Sequence, residues 1–438
     1  MRTIITFFLL LFCLSLQAQF VIPEGTPVVN GYDITYQNTN ALDGQKLYLW
    51  GCYGCHPYII DSAIVKKGVA IFKNKKAVLP CGIYTICKGK AVDHSTDIVL
   101  NKSNKCVITK NGSDITFSEC EESEILYEFY SRLDNLPNDT PDDQLKQFLD
   151  DFINIAPESF VSKYLRAIFG FYWEYGSVAL TCQTALQILP YTDLAEPRLL
   201  FSPIPLNVCL QSIHNCDIHS TDSLIQFADS LLNRCSNPIV KNFYLNELFQ
   251  LFDDNQIEHE PVLVHLYDHY DHSWISEENE RRYERKIKNL RNIITGAKVP
   301  ELTFTDTDGK TFSTNHVEAK YTVFWFWDSD CDHCQELTPI LHKFYQEHAN
   351  EYDFEVVALE ITDDINRWKS FSDEHGLWDW TNLSLSNGTT STDLLVYFDI
   401  ATAPAIILID NSNDHTIITR QITLEELLEK LKTINEER

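Results

Sequence analysis

The sequence predicts a multidomain protein: an antiparallel β-domain first, an α-helical domain next, and an α/β domain at the C-terminus. Three observations carry this expectation. Short β-branched and aromatic runs crowd residues 20–122, apolar residues recur at helical spacing over 123–295, and strand-like and helix-like segments alternate over 296–438. A length of 438 residues accommodates about three such domains.

Residues 1–19 read as a removable signal peptide, with Arg2 as the charge, an apolar run from Ile4 to Leu16 and a cleavage point near Ala18. That run is shorter than the roughly 20 residues a membrane-spanning helix needs, and no later segment qualifies, so the chain is not expected to span a membrane. Cys13 offers a lipoprotein alternative, disfavoured by the bulky Phe12 before it. The leader carries no charge other than Arg2, which leaves 34 basic against 63 acidic residues in the mature chain. Such a surface repels nucleic acid and anionic membranes, so neither is expected as a partner. A generous cysteine count behind an export signal points to an oxidising compartment, the periplasm or cell envelope.

Within 20–122 the strand candidates are Lys46–Trp50, Tyr58–Asp61, Val69–Phe72 and Gly82–Ile86, separated by Gly, Pro, Asn and Lys clusters. Over 123–295, Leu145, Phe148, Leu149, Phe152 and Ile153 follow helical periodicity, and Phe160, Val161, Tyr164, Leu165 and Ile168 repeat it. Ser236-Asn237-Pro238 marks a further helix start. From Val299 the pattern becomes a short hairpin, a strand at Tyr321–Trp327, a helix to about His348, a strand at Phe354–Ile361, a helix at Trp368–His375, a strand at Ala405–Ile409 and a closing helix at Leu424–Leu431.

Cys331 and Cys334 fall where that first buried strand gives way to a helix. Two thiols separated by two residues at a helix start make a dithiol/disulfide couple. Unpaired backbone N–H groups and the helix dipole favour the thiolate of the first, and the second can resolve a mixed disulfide held on it. Cys331 is the expected nucleophile and Cys334 the resolving thiol. The redox-active disulfide itself is the only cofactor expected.

Together with Pro339 and the Thr402-Ala403-Pro404-Ala405 loop, these residues resemble the TlpA/ResA-like extracytoplasmic thioredoxin family. The leading β and helical segments resemble domains of uncharacterised function that precede the thioredoxin-like domain in some members. The resemblance implies a thiol–disulfide oxidoreductase acting on protein thiols or disulfides, coupled to an upstream redox partner. It also implies a cis Pro404 lying against the dithiol, with Ala403 and Pro404 binding substrate backbone. Proline suits that place because X-Pro bonds adopt cis at modest cost and offer no competing N–H.

This chain departs from the family around the thiols. Asp330 replaces the tryptophan that usually precedes the first cysteine, and Trp325 replaces the buried aspartate of cytosolic thioredoxins. Asp363 or Glu360 is the expected substitute carboxylate. Trp327, Asp330, Asp332, His333 and Asp363 are the residues expected to tune the thiols. His333 before the second cysteine resembles strongly oxidising relatives, which implies a push toward the thiolate, whereas the negative charges of Asp328, Asp330 and Asp332 act in the opposite sense.

Rival constellations are present. Cys52-Tyr53-Gly54-Cys55-His56 matches c-type haem attachment, but it falls at a turn between strands, and Met1 is the chain's only methionine. A disulfide is the expected state, among many connectivities open to Cys52, Cys55, Cys81, Cys87, Cys106 and Cys120. His265, His269 and His272 have spacing that places them on one helical face and could bind zinc, yet they read as a polar surface. Cys209, His214, Cys216 and His219 are irregularly spaced, and a disulfide among Cys182, Cys209, Cys216 and Cys235 is expected instead. The alternative to an enzyme is a non-catalytic envelope scaffold, haem- or metal-linked, with a vestigial thioredoxin domain. Purified protein is therefore expected to lack a Soret band; a band near 400 nm, scaling with protein on a pyridine-haem assay, would overturn the disulfide reading of Cys52 and Cys55.

Overall fold

Strand β1 (Val28–Asn38) opens the molecule with a bulge that only a glycine accommodates. Gly31 has φ +71°, and a Cβ there would lie 3.2 Å from the backbone of Asn74 and Lys75. Beyond the bulge, Tyr32, Ile34 and Tyr36 point inward and are buried.

In the computed structural model the described residues are 22–38, 40–54, 56–89, 96–112, 114–137, 140–175, 193–203, 221–253, 259–272, 275–305, 311–313, 316–361, 364–384 and 395–436, with only the backbone of 169–175, 304–305 and 436. The chain divides into two units, 1–251 and 252–438. This division falls inside the helical stretch read from sequence.

The first unit continues with β2 (Lys46–Tyr53), β3 (His56–Ile64), β4 (Val69–Pro80), β5 (Gly82–Lys88), β6 (Thr96–Leu100), β7 (Lys105–Asn111) and β8 (Asp114–Ser118). They form two four-stranded sheets, ordered β4-β1-β7-β8 and β3-β2-β5-β6. The inward side chains of both, among them Ile34, Leu49, Phe72, Tyr84, Ile98 and Ile108, share one buried core. One pairing departs from the antiparallel expectation: β1 runs parallel to β7, with Asp33 opposite Lys105. Alternating burial reports which face a residue takes, not the direction of its neighbour, so sequence periodicity carries no trace of this. Cys106 and Cys120 form a disulfide from β7 to the residue before α1.

Helices α1 (Glu121–Asp134), α2 (Asp142–Ile153), α3 (Phe160–Tyr175), α4 (Thr221–Arg234) and α5 (Pro238–Phe252) follow, with a 3-10 turn at Pro197–Phe201. Glu121, Glu122 and Glu124 in the first turn of α1 complement its dipole. Ser123 accepts a hydrogen bond from the Val99 amide at 2.9 Å, fastening α1 to the sheet. Phe129 meets Phe148 and Phe152 of α2 at 5.4 and 5.0 Å between ring centroids.

The second unit begins with α6 (Glu260–His269) and α7 (Glu277–Leu290). It continues with the hairpin β9 (Thr303–Thr305) and β10 (Thr311–Ser313), then β11 (Tyr321–Trp327), α8 (Asp332–Tyr352), β12 (Phe354–Glu360), α9 (Ile365–His375), β13 (Thr381–Ser384), β14 (Ala405–Asp410), β15 (Thr416–Arg420) and α10 (Leu424–Glu436). The main sheet has the order β13-β12-β11-β14-β15, parallel from β11 to β13 and antiparallel at β14 and β15. All seven residues of the central strand β11 are buried, which explains its near-continuous apolar run, with Thr322 the one non-aromatic polar member.

Segment 296–299 pairs with the free side of β15. Gly296 donates to the Ile417 carbonyl at 2.8 Å, Ile417 to Ala297 at 2.9 Å, and Val299 to His415 at 2.9 Å. Helix α6 is tied to the same strand by an ion pair between Glu260 and Arg420, both buried. Burial pushes the Glu260 carboxyl up, while the Arg420 guanidinium opposes that push. The expected outcome of Glu260→Met is a loss of about 3–5 kcal/mol, because Arg420 is left as an uncompensated buried charge. The double variant with Arg420→Met should recover most of it. Urea unfolding followed by tryptophan fluorescence checks this, since six of the eight tryptophans lie within 252–438; equal losses in single and double variants would refute it.

Candidate active site

The dithiol is built on the junction of β11 with α8. Because β11 and β12 are parallel, with Trp327 opposite Glu360, the segments leaving both strands emerge on the same side of the sheet. One is the loop Asp328-Ser329-Asp330 that leads to Cys331; the other leads into α9.

Cys331 is the N-cap of α8. Its Sγ accepts the backbone N–H of Cys334 at 3.5 Å, so the sulfur occupies the place where an unsatisfied helical amide favours negative charge. Cys331 is half-buried and Cys334 fully buried, and the two stand as thiols. Burial pushes the Cys334 thiol up to about 12. The Ala403–Pro404 peptide is cis, and the Ala403 carbonyl oxygen lies 4.0 Å from Cys331 Sγ. The residues expected at the thiols and at the proline loop therefore come together.

The loop before Cys331 is held from three directions. Ser329, fully buried, donates its hydroxyl to Glu360 Oε1 at 3.1 Å and its amide to the same oxygen at 3.4 Å. Gln335 Nε2 donates to the Ser329 carbonyl at 2.8 Å, and Arg367 Nε donates to that carbonyl at 3.0 Å. Arg367 also pairs through Nη1 with Asp330. Sequence reasoning missed Arg367, Ser329 and Gln335. The available signal was the parallel β11–α8–β12 unit, which brings the start of α9 beside the dithiol loop.

Trp325, at the position of the usual buried aspartate, is wholly buried and donates its indole N–H to Thr338 Oγ1 of α8 at 3.0 Å. It fastens helix to sheet. Trp327 shares the buried core with Cys334 and packs on Phe371 at 5.5 Å. Asp330, Asp332 and His333 are exposed. Asp363 lies outside the described residues, as do Cys55, Cys182, Cys209, His214, Cys216 and His219.

The rival clusters separate on inspection. Helix α6 ends at His269, and Tyr270 turns extended at ψ 149°, so the three histidines do not share one helical face as their spacing suggested. His272 instead faces Glu280 at 3.0 Å, and Asp268 pairs with Arg291. Among the described residues, no group of three His, Cys, Asp or Glu side chains is placed to hold a metal ion. Cys52 Sγ lies 3.2 Å from the Gly54 carbonyl. Cys235 is a buried thiol directed at the Leu231 carbonyl, not a disulfide. Among the described residues, no helix is long and apolar enough to cross a membrane.

Residues 318–415 match the family model described as thioredoxin-like. The chain is 30% identical over 101 residues to a tryparedoxin from Trypanosoma brucei brucei, covering 23% of this chain and 67% of that protein. The chain belongs to the thioredoxin-like family of thiol–disulfide oxidoreductases. A probable nucleoredoxin 1 from Arabidopsis thaliana is 26% identical over 152 residues, 34% of this chain but only a quarter of the relative. Among solved structures, a domain of a possible thiol-disulfide isomerase from Cytophaga hutchinsonii is 30% identical, covers 33% of this chain and 95% of its own, and has a TM-score of 0.30. A thioredoxin-like protein from Bacteroides caccae is 14% identical, covers 62% and 92%, and has a TM-score of 0.39.

The burial of Cys334 generates a direct expectation. Its thiolate is much scarcer at neutral pH than that of an unperturbed thiol. Iodoacetamide treatment of the reduced protein near pH 7.5, with peptide mapping by mass spectrometry, should label Cys331 at least about tenfold faster than Cys334. Equal labelling rates would contradict the buried, protonated state.

Proposed function

We propose that this thioredoxin-like protein is an extracytoplasmic oxidoreductase that exchanges disulfides with protein substrates through Cys331 and Cys334. The observation that carries the reading is the asymmetry of the pair: a half-exposed sulfur on a helix N-terminus, with a buried thiol behind it. In the reductive direction, the Cys331 thiolate attacks one sulfur of a substrate disulfide. A Cys331–substrate disulfide forms, and the other substrate sulfur leaves and takes a proton. Cys334 then loses its proton and attacks Cys331 Sγ, releasing the second substrate thiolate, which is protonated in turn. The substrate gains two electrons and two protons, and the protein keeps a Cys331–Cys334 disulfide. The oxidative direction is the reverse sequence.

Ala403 and Pro404 supply the backbone edge against which a substrate segment aligns, a role supported by the approach of the Ala403 carbonyl to Cys331. Trp327, Asp330, Asp332 and His333 set the electrostatic and solvent environment of the sulfurs, and Asp363 or Glu360 is the proposed proton relay for Cys334. Export through residues 1–19 to the periplasm or cell envelope supplies the compartment, and an upstream thiol partner restores the working redox state. The test is a Cys334→Ser variant expressed in its exporting host. It should accumulate proteins on Cys331 as mixed disulfides that dithiothreitol releases, and Cys331→Ser in the same background should abolish them. An empty trap in the presence of correctly folded protein would sink the proposal.

A further inference from the structure

Asp330 places a negative charge immediately before the nucleophile. That charge opposes thiolate formation. The structure answers it with a cation from another element. Arg367, in the first turn of α9, places Nη1 on Asp330 and donates Nε to the Ser329 carbonyl at 3.0 Å. Its rigid guanidinium fork thus grips two consecutive residues of the loop through two different groups.

We infer that Arg367 is a positioning residue for the redox reaction, holding the Ser329-Asp330 loop and offsetting the charge that Asp330 sets immediately before Cys331. The inference rests on the dithiol reading above. The ionisable groups on the elements meeting at Cys331 are Asp328 and Asp330 on the loop, Asp332, His333, Cys334 and Glu336 on α8, Glu360 at the end of β12, and Asp364 and Arg367 at the start of α9. The Ala403–Pro404 loop contributes none. Carboxylates outnumber cations in that set, so loss of Arg367 leaves the surroundings of the loop more negative. The size of the effect is limited by solvent, because the Arg367 and Asp330 side chains are 46% and 66% exposed. Fold integrity does not hang on this contact. Gln335 and the Ser329–Glu360 hydrogen bonds still hold the loop when the guanidinium is gone.

The experiment uses the reduced full-length chain and follows alkylation of the Cys331 peptide by iodoacetamide from pH 5 to pH 9, at low salt and at about 0.5 M salt. Arg367→Gln should move the alkylation midpoint to higher pH and slow labelling at pH 7 about two- to fivefold at low salt, with the difference shrinking at high salt. Asp330→Asn should move the midpoint the other way, and the double variant should return close to wild type. Arg367→Lys keeps the charge without the fork, so it should hold the wild-type midpoint at low salt. Coincident profiles for wild type and Arg367→Gln, or a double variant identical to Arg367→Gln, would overturn the inference. Reduction of oxidised insulin by the wild-type protein is the control for the underlying reading. If wild type is inactive there, the dithiol function fails; if it is active while the profiles coincide, only the role of Arg367 fails.

Discussion

The thiol site depends on the parallel registration of β11 with β12. Trp327 and Glu360 sit opposite each other at the end of that pairing, so the chain leaves both strands at the same rim of the sheet. In an antiparallel pair the two exits would lie at opposite ends. This registration is held by burial on both faces of β11, from Tyr321 to Trp327, and by the Trp325 indole bonded to Thr338. Two contacts on the nucleophile's loop follow from this: Glu360 beneath Ser329 and Arg367 beside Asp330.

The local electrostatics show how a tolerated departure is absorbed. A tryptophan before the nucleophile contributes bulk and no charge; Asp330 contributes a charge that the thiolate resists. The group paired with Asp330 is the partly exposed guanidinium of Arg367 at the start of α9. Exposed pairs of this kind contribute little to stability. A thiol on a helix N-terminus is sensitive to small shifts in local potential, so the same weak pair matters more for reactivity than for folding.

Much of this was legible in the chain. The dithiol, its N-cap position and the order of the main α/β elements follow from residue types and spacing, since apolar runs and helix starts have local causes; the place of Pro404 was implied by the family resemblance. What escaped was non-local. Strand β13, only Thr381–Ser384, is too short to show a period. The parallel pairing of β1 with β7 links residues some 70 positions apart, and nothing in either strand names the other. Arg367 was not singled out in the sequence, because its importance lies in what the sheet brings beside it. His272 looked like a third ligand only while the helix was assumed to continue past His269.

The strand-like pairing of 296–299 on β15 bears on where the thioredoxin-like unit can be cut. The natural-looking cut, just after the helical stretch at 295, would leave those four residues as a free end and take away α6 with the Glu260 partner of Arg420. A fragment begun there carries a fraying flank on β15, a row of backbone groups available to another copy, and an arginine buried without its carboxylate. Edge-to-edge association of such a fragment would then reflect the cut, not the protein. A fragment that opens at Phe252 keeps α6, α7 and the capping segment together, and with them the sheet edge stays closed.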